Sequence, residues 1–238
     1  PEERKKVAVA MFIFPEDVNE ELYPELEAEN KKTVYHSMKR VIDVAGSLGL
    51  LIVLLPLFLT IAVLVKLSSQ GPALFKQKRL GRMGKEFDFL KFRTMYANND
   101  PAIHREYVGK LIKGELCKGT VYKIQNDPRV TPIGRLLRRT SLDELPQFIN
   151  VLKGEMSLVG PRPPIRYEME NYCCWHRRRI LEARPGITGL WQVHGRSRMT
   201  FDEMVRLDIR YIMEQSLWLD LKILLQTPRA VISSAGAY

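Results

Sequence analysis

One apolar run, from Val41 to Val65, constrains the fold of this 238-residue chain more than any other feature. As an unbroken helix the run would be about 37 Å long, which exceeds the roughly 30 Å hydrocarbon core of a bilayer. Pro56 lies inside the run, and a proline within a helix removes a backbone hydrogen bond and kinks or breaks the helix. The sequence therefore predicts two half-helices that meet at Pro56.

The flanks of the run are basic, with Lys39 and Arg40 before it and Lys66 after it. Basic residues favour the cytoplasmic side of a membrane, so basic residues at both ends favour a hairpin that enters and leaves the same leaflet. A kinked membrane-spanning helix is the competing interpretation. A buried helix of a soluble protein is the third, and the scarcity of ionisable residues in the run makes it the least favoured.

Charge is distributed unevenly along the chain. The first 33 residues hold nine acids and five bases, so the remaining residues carry +14 although the whole chain carries +10. A basic body indicates an anionic partner such as phospholipid, nucleotide, phosphate or nucleic acid, although a soluble basic protein is the simpler explanation. The sequence has no nucleic-acid fold signature, and we expect no nucleic-acid partner.

The rest of the chain predicts a small mixed α/β domain. Segments 73–77 and 86–91 are typical of two strands around a turn at 81–84, and residues 157–159 are predicted to be extended. Helices are predicted over 133–139, 144–152, 167–182 and 201–213, and a further strand over 7–14. The apolar segment 217–232 predicts an amphipathic helix interrupted by Pro228, which suits the membrane interface and core packing equally well.

Two adjacent carboxylates, Asp143 and Glu144, follow a segment with three arginines. A carboxylate can attack an activated phosphoryl group to form an acyl phosphate, which divides one difficult step into two. Arginines and Mg²⁺ would offset the repulsion between that carboxylate and an anionic diphosphate, and the second carboxylate could hold the metal. The alternative interpretation is structural. Thr140, Ser141 or Asp143 would cap the next helix, and the arginines would form a solvated face.

Three other segments carry groups suited to phosphate. Arg162 lies among prolines in segment 160–164, so its backbone is restricted and its guanidinium is suited to bidentate phosphate binding. The glycines of segment 184–196 permit close backbone approach, and segment 91–95 places basic residues at a strand end. Taken alone, each segment is also an ordinary turn, loop or strand end. None matches a P-loop or a dinucleotide fingerprint.

Taken together, these motifs resemble those of the bacterial sugar transferase family, the monotopic phosphoglycosyl transferases. The resemblance covers residues 38–238 and rests on seven motifs in order, which are far more specific than any one alone. They are Lys39-Arg40 with the apolar run, Gly71-Pro72-Ala73 with Gly81, Lys91 to Met95, Asn126 to Arg129, Thr140 to Gln147, Met156 to Pro163, and Arg184 to Arg196.

The resemblance implies a cytosol-facing α/β domain over residues 68–238, anchored by a re-entrant helix over 38–67 that breaks at Pro56. Residues 1–37 would be a linker or the remnant of an upstream domain. It implies transfer of a sugar-1-phosphate from a UDP-sugar to polyprenyl phosphate at the cytoplasmic face of the bacterial inner membrane. Asp143 would be the nucleophile, Glu144 would hold Mg²⁺, and membrane lipid would be a further partner. The sequence leaves open whether the chain forms a homo-oligomer. The residues expected to bind phosphate or donor are Lys91, Arg93, Arg138, Arg162, Pro185, Gly186, Thr188, Gly189, Gln192 and Arg196.

Two functions of other classes remain as alternatives. A membrane-bound nucleic-acid-binding protein would use the positive charge, and its affinity would fall steeply with salt. A scaffold would use the apolar hairpin and the amphipathic tail only to recruit partners to the membrane. The scaffold leaves the Asp143–Glu144 pair and Arg162 without a role.

Overall fold

The computed structural model describes residues 33–96, 102–113, 115, 127–195 and 199–232. Its helices are α1 (Thr33–Val53), α2 (Leu55–Ser68), α3 (Ala102–Ile112), α4 (Pro132–Thr140), α5 (Gln147–Lys153), α6 (Arg166–Met169), α7 (Cys174–Leu181), α8 (Leu190–His194), α9 (Phe201–Glu214) and α10 (Leu217–Ile232). Its strands are β1 (Leu74–Leu80), β2 (Glu86–Phe92), β3 (Ser157–Val159) and β4 (Gly186–Thr188). The predicted strand over 7–14 lies outside the described residues.

The apolar run forms two helices that break next to the proline, as predicted. Leu54 separates α1 from α2, and Pro56 lies in the first turn of α2, where a missing N–H costs little because no intrahelical partner exists for it. The two helices are bent by 65°. Among the described helices, no single one is long and apolar enough to cross a bilayer, and only this bent pair together has the length and composition to do so. The first of the two, α1, begins at Thr33 rather than at residue 38.

Apolar side chains around the break are exposed. They include Leu50, Ile52, Val53, Leu55, Leu57 and Leu59. A contiguous exposed apolar surface of this kind marks an interaction site rather than an ordinary soluble face. The buried-helix interpretation is therefore the one that this surface least supports.

The first half of α1 is fixed to the globular body by buried polar groups. Asp43, which is 2% exposed, accepts hydrogen bonds from the Leu158 backbone N–H at 2.9 Å and the Ser157 hydroxyl at 3.0 Å. Arg40 donates to the Val151 and Leu152 carbonyls in the last turn of α5, at 2.6 and 2.9 Å. Such bonds to charged groups contribute about 1.5–3 kcal/mol each. The apolar helix pair is thus joined to the domain by side-chain hydrogen bonds as well as by the peptide backbone.

Asp220 at the start of α10 makes a second connection to α1. Its carboxylate accepts hydrogen bonds from Lys39 at 2.7 Å and Tyr35 at 3.0 Å, both on α1, and from Tyr211 at 2.7 Å on α9. Burial raises the pKa of both tyrosines, so they keep their protons and donate. Three helices therefore meet at one carboxylate.

Two small sheets support the segments that carry polar groups. β1 and β2 form an antiparallel hairpin, paired from Leu74–Phe92 to Leu80–Glu86, which confirms the predicted strand pair and turn. β3 and β4 are parallel, with Ser157 opposite Gly186. The main apolar core joins the hairpin to β3, α5, α9 and α10 through Phe89, Val151, Val159, Tyr211 and Ile223. The mixed helix-and-sheet character that we expected is observed.

Three predicted helices differ from those in the structure. The helix predicted over 144–152 begins only at Gln147, directly after Pro146, which has no N–H to donate; a 3₁₀ turn covers Leu142–Glu144 instead. The helix predicted over 167–182 is two helices, α6 and α7, since Cys173 is extended and donates its N–H to the His176 ring at 3.1 Å. Helix α10 continues through the exposed Pro228 rather than stopping there. Helices α3 and α8 were not predicted.

Candidate active site

The Asp143–Glu144 pair lies on a tight turn between α4 and α5. Ser141 ends α4 in a left-handed conformation, with φ at 57°, and the 3₁₀ turn Leu142–Glu144 follows directly. Asp143 is turned inward and is 6% exposed, whereas Glu144 is half-buried. No side chain caps this turn or the start of α5, so the capping interpretation of Thr140, Ser141 and Asp143 is wrong.

Four cationic side chains share the electrostatic environment of Asp143. The pKa of Lys91 is lowered to about 7, first by burial and then by the charges of Arg79, Arg138 and Arg162, while Asp143 raises it. Burial also lowers the pKa of Arg138, and Asp143 again opposes the shift. The charges of Asp143, Arg138 and Arg162 therefore all act on Lys91, and the contact of these residues with phosphate stays a prediction.

Arg79, which was not among the predicted site residues, holds the segment that carries Arg162. Its guanidinium donates to the Pro163 carbonyl at 2.8 Å, and the next residue on β1, Leu80, donates its N–H to Pro164 at 3.0 Å. The Arg162 carbonyl accepts from Arg179 on α7 at 3.0 Å. The backbone around Arg162 is thus held from two sides, in addition to the restriction that the prolines impose.

Arg138 is positioned by the strand end and by a neighbouring ion pair. Its Nε donates to the Thr94 hydroxyl at 3.0 Å. Asp127 forms a two-bond pair with Arg129, at 2.7 and 2.8 Å, which is the main reason its pKa lies below the usual range. Asp127 also raises the pKa of Arg138, so this pair borders the cationic site. The motif was visible in the sequence, but no role was predicted for it.

Arg93 occupies a different position from the other predicted cations. It is 6% exposed and donates to the Val65 and Ser69 carbonyls, at 3.3 and 2.7 Å, at the end of α2. These bonds satisfy carbonyls that a helix end leaves without partners. Arg93 therefore joins the apolar helix pair to β2, and its phosphate contact stays a prediction.

The predicted donor-binding loop over 185–192 forms β4 and the start of α8. Gly186 lies against Gly160, and a Cβ atom added at Gly186 would be 2.0 Å from the Gly160 nitrogen. Thr188 bonds the Thr227 hydroxyl at 2.9 Å, Gln192 donates to the Ile187 carbonyl at 3.1 Å, and Pro185 and Gly189 are buried. This loop supports the segment that leads to Arg162; its contact with donor stays a prediction. Arg196 lies outside the described residues.

The carboxylates fit a metal that arrives with its substrate rather than a preformed metal site. Within the described ranges, no group of three or more His, Cys, Asp or Glu side chains could hold an ion. Mg²⁺ is usually bound by one or two carboxylates together with substrate phosphates and water. Glu144, half-buried beside Asp143, is a carboxylate of that kind, and its contact with Mg²⁺ stays a prediction.

A separate cavity of about 1180 Å³ lies between the start of α1, the β1–β2 turn and the ends of α5 and α7. Its lining includes Lys39, Arg40, Arg82, Lys153 and Arg184, but none of the site residues predicted from the sequence. The chemistry-bearing groups are at the Asp143 cluster, so we place the candidate active site there.

The chain is similar in sequence to known proteins. The bacterial sugar transferase family matches residues 34–234. The galactosyl transferase CpsE of Streptococcus agalactiae is 46% identical over 202 residues, which are 84% of this chain and 43% of that protein. The undecaprenyl-phosphate galactose phosphotransferase of Salmonella typhimurium is 40% identical over 228 residues, or 95% of this chain and 46% of that protein. The exopolysaccharide production protein ExoY of Sinorhizobium fredii is 42% identical over 200 residues, or 84% and 88%.

The chain thus spans less than half the length of the first two of these relatives and most of the third. The family match extends from the start of α1 to the end of α10 and includes all the cationic and acidic residues of the cluster. The chain belongs to the bacterial sugar transferase family.

Proposed function

We propose that this chain moves a sugar-1-phosphate from a UDP-sugar to polyprenyl phosphate, as the first membrane step in making a bacterial surface polysaccharide. The observation that carries the proposal is a buried carboxylate, Asp143, whose charge acts on Lys91 together with the charges of Arg79, Arg138 and Arg162, in a domain bonded to an exposed apolar helix pair. Cations of this number suit a diphosphate, and the helix pair suits a lipid-borne acceptor. The relatives, which include an undecaprenyl-phosphate galactose phosphotransferase, support it.

In the first step, a carboxylate oxygen of Asp143 attacks the phosphorus that carries the sugar. A bond forms between that oxygen and phosphorus, and the bond from phosphorus to the bridging oxygen breaks. UMP leaves with the bridging oxygen and its electron pair, and the sugar phosphate stays on the enzyme as an acyl phosphate. Lys91, Arg138 and Arg162 stabilise the charge that develops on the transferring group and on UMP.

In the second step, an oxygen of the polyprenyl phosphate attacks the same phosphorus and the Asp143 carboxylate leaves. The product is polyprenyl-diphosphate-sugar, and the carboxylate is regenerated without any net proton transfer. Glu144 would hold Mg²⁺ together with the substrate phosphates, and the bound ion would neutralise part of their charge.

The helix pair would keep the cationic site close to the lipid-borne acceptor that the second step requires. The end of α2 is bonded to Arg93, two residues after Lys91, so the membrane-facing element and the cationic site share one strand end. We place the domain at the cytoplasmic face of the inner membrane, where UDP-sugars are made and the acceptor head group lies. Proximity of two bound reactants can contribute several kcal/mol to the rate.

Transfer of radiolabel from UDP-sugars to extractable lipid tests the proposal. The full chain in vesicles with polyprenyl phosphate and Mg²⁺ should label lipid and release UMP in equal amounts, with at least one UDP-sugar of a panel. A chelator should stop both reactions, and Mg²⁺ should restore them. Labelled lipid without UMP release, or no label with any donor, would reject it.

The pKa of Lys91 predicts how donor binding depends on pH. The protonated ammonium attracts the diphosphate and the neutral amine does not, so the KM for UDP-sugar should rise several-fold as pH rises from 7 to 9. Bound phosphate raises the pKa of Lys91, so the rise in KM is expected above pH 7. Lys91→Arg should flatten the profile because arginine stays charged, whereas Lys78→Arg on the exposed part of β1 should not. An unchanged slope in Lys91→Arg would contradict the assignment.

A further inference from the structure

A buried amide lies against the edge of β2 that faces away from β1. In the part of the chain that the structure describes, β2 pairs with β1 only, and Asn150 of α5 is completely buried beside its other edge. The Asn150 Oδ1 accepts the Leu90 N–H at 3.0 Å, and its Nδ2 donates to the Asp88 carbonyl at 2.7 Å. One side chain therefore gives β2 an acceptor and a donor that a neighbouring strand would otherwise supply.

The partners of Asn150 fix the orientation of its amide. A backbone N–H can only donate and a backbone carbonyl can only accept, so Oδ1 faces Leu90 and Nδ2 faces Asp88. Nδ2 also donates to a carboxylate oxygen of Glu155 at 2.6 Å, which the amide could not do if it were turned over. The Glu155 N–H in turn bonds the Asn150 carbonyl at 3.1 Å. Glu155 thus holds the amide in the orientation that β2 requires.

The amide connects the two elements that carry Lys91 and Asp143. Leu90, whose N–H it binds, directly precedes Lys91 on β2. Asn150 lies in the middle of α5, the helix that follows the 3₁₀ turn with Asp143. Successive N–H groups of a strand point to opposite edges, so neither neighbour of Leu90 could replace it in this bond. The bond therefore fixes the position of β2 along α5, one residue before Lys91.

Apolar packing holds the backbone on the other side of Lys91. Phe92 is completely buried in an apolar cluster. Leu142 and Leu145, which flank the Asp143–Glu144 pair, pack against the same cluster, and the 3₁₀ turn is in direct contact with β2. Contacts before and after Lys91 thus determine where its side chain leaves the strand relative to the turn that carries the carboxylates.

We infer that Asn150 is a positioning residue for the transfer reaction, which holds Lys91 where its ammonium meets the diphosphate of the donor. The inference rests on the proposed function. Asn150 is bonded to the backbone before Lys91, so it acts through Lys91 and needs no contact of its own with substrate. A displacement of about 1 Å, even from a change far from the chemistry, can cost about a hundredfold in rate. The edge of β2 is therefore expected to influence catalysis.

A double-mutant cycle with Lys91 tests the inference. The full chain in vesicles is assayed by UMP release from the UDP-sugar that it turns over fastest. Asn150→Ala removes both bonds to β2 and should lower kcat/KM by about tenfold to a hundredfold. In a Lys91→Met background the same substitution should lower kcat/KM by no more than about twofold, because the side chain that Asn150 positions is already absent. An equal loss in both backgrounds, or no loss in either, would overturn the inference.

Glu155→Ala provides a second route to the same answer. It removes the carboxylate that orients the amide and leaves Asn150 in place. The loss in kcat/KM should be smaller than in Asn150→Ala and should again depend on the presence of Lys91. If Asn150→Ala does not fold, the Glu155→Ala cycle decides. A loss confined to chains that keep Lys91 supports the inference, and equal losses or none reject it.

Asn171→Ala is the matched control. It removes a half-buried amide whose Nδ2 donates to the Tyr167 carbonyl at 3.3 Å, just after α6. It should leave kcat/KM within about twofold of the parent chain in both backgrounds. If the unmodified chain releases UMP from no UDP-sugar, the proposed function fails and the inference fails with it. If the chain is active and the losses in the cycle are additive, only the role of Asn150 is rejected.

Discussion

Asp143→Asn is expected to lose sugar-phosphate transfer by about a thousandfold or more, which is typical when an enzyme loses its nucleophile. The amide has the same volume as the carboxylate but lacks the charged oxygen that attacks phosphorus. Donor binding should persist or become tighter, because a negative charge is removed from among four cations that meet an anionic substrate. The measurement is UMP release and lipid labelling, with UDP-sugar affinity determined separately.

This separation of turnover from binding distinguishes a lost nucleophile from a lost fold. Asp88→Asn makes the same chemical change at an exposed site on β2, where the carboxylate pairs with Lys78, and it should retain nearly full activity. The unmodified chain, quenched with donor and without acceptor, should carry the mass of one sugar phosphate at Asp143. Substantial turnover in Asp143→Asn, or an adduct on a different residue, would reject the mechanism.

Gly186→Ala is expected to lower the free energy of unfolding by about 3 kcal/mol or more, which is at the upper end of single substitutions. A Cβ atom at this position would lie 2.0 Å from the Gly160 nitrogen and 2.6 Å from the Thr188 carbonyl oxygen. Both are backbone atoms, one directly after β3 and the other in β4, so neither can rotate away. The strands must separate, which also displaces the segment from Gly160 to Arg162. Activity should fall together with stability.

Gly109→Ala is the control for this substitution. Gly109 lies inside α3, and an added Cβ atom would meet only the Asn171 side chain, at 3.8 Å, an ordinary contact. Alanine also favours a helix over glycine by about 0.5–1 kcal/mol, so stability should rise slightly or stay constant. Thermal or urea unfolding measures both variants. Equal stabilities for Gly186→Ala and Gly109→Ala would show that the close approach of β3 and β4 is not required.

Local patterns were enough to predict the parts of the fold that depend on neighbouring residues. The break at Pro56 follows from the covalent structure of proline, and the β1–β2 hairpin follows from alternation around a glycine turn. The grouping of Arg138, Arg162 and Asp143 was expected from the family resemblance. From charge alone, a helix cap and a solvated face of arginines explained these residues equally well.

The remaining features depend on contacts between distant parts of the chain. Arg79 bonds the carbonyl of Pro163, 84 residues away, and His104 meets Tyr167 across 63 residues, so no local pattern could identify either pair. Arg93 is a further case of a distant contact. Its motif suggested phosphate, which stays a prediction, and no local pattern indicated that its guanidinium also donates to carbonyls at the end of α2.

The bonds that Asp43 and Arg40 make to the globular body fix the direction of α1 relative to that body. A helix pair held in this way cannot swivel independently once its apolar surface has entered lipid. In the proposed membrane-bound state, the depth of insertion would set the height of Asp143 above the head groups, and the tilt of the pair would set the direction from which the proposed acceptor arrives. A protein attached only by a flexible tether would have to find that alignment at each turnover, whereas this arrangement would establish it once, on binding to the bilayer.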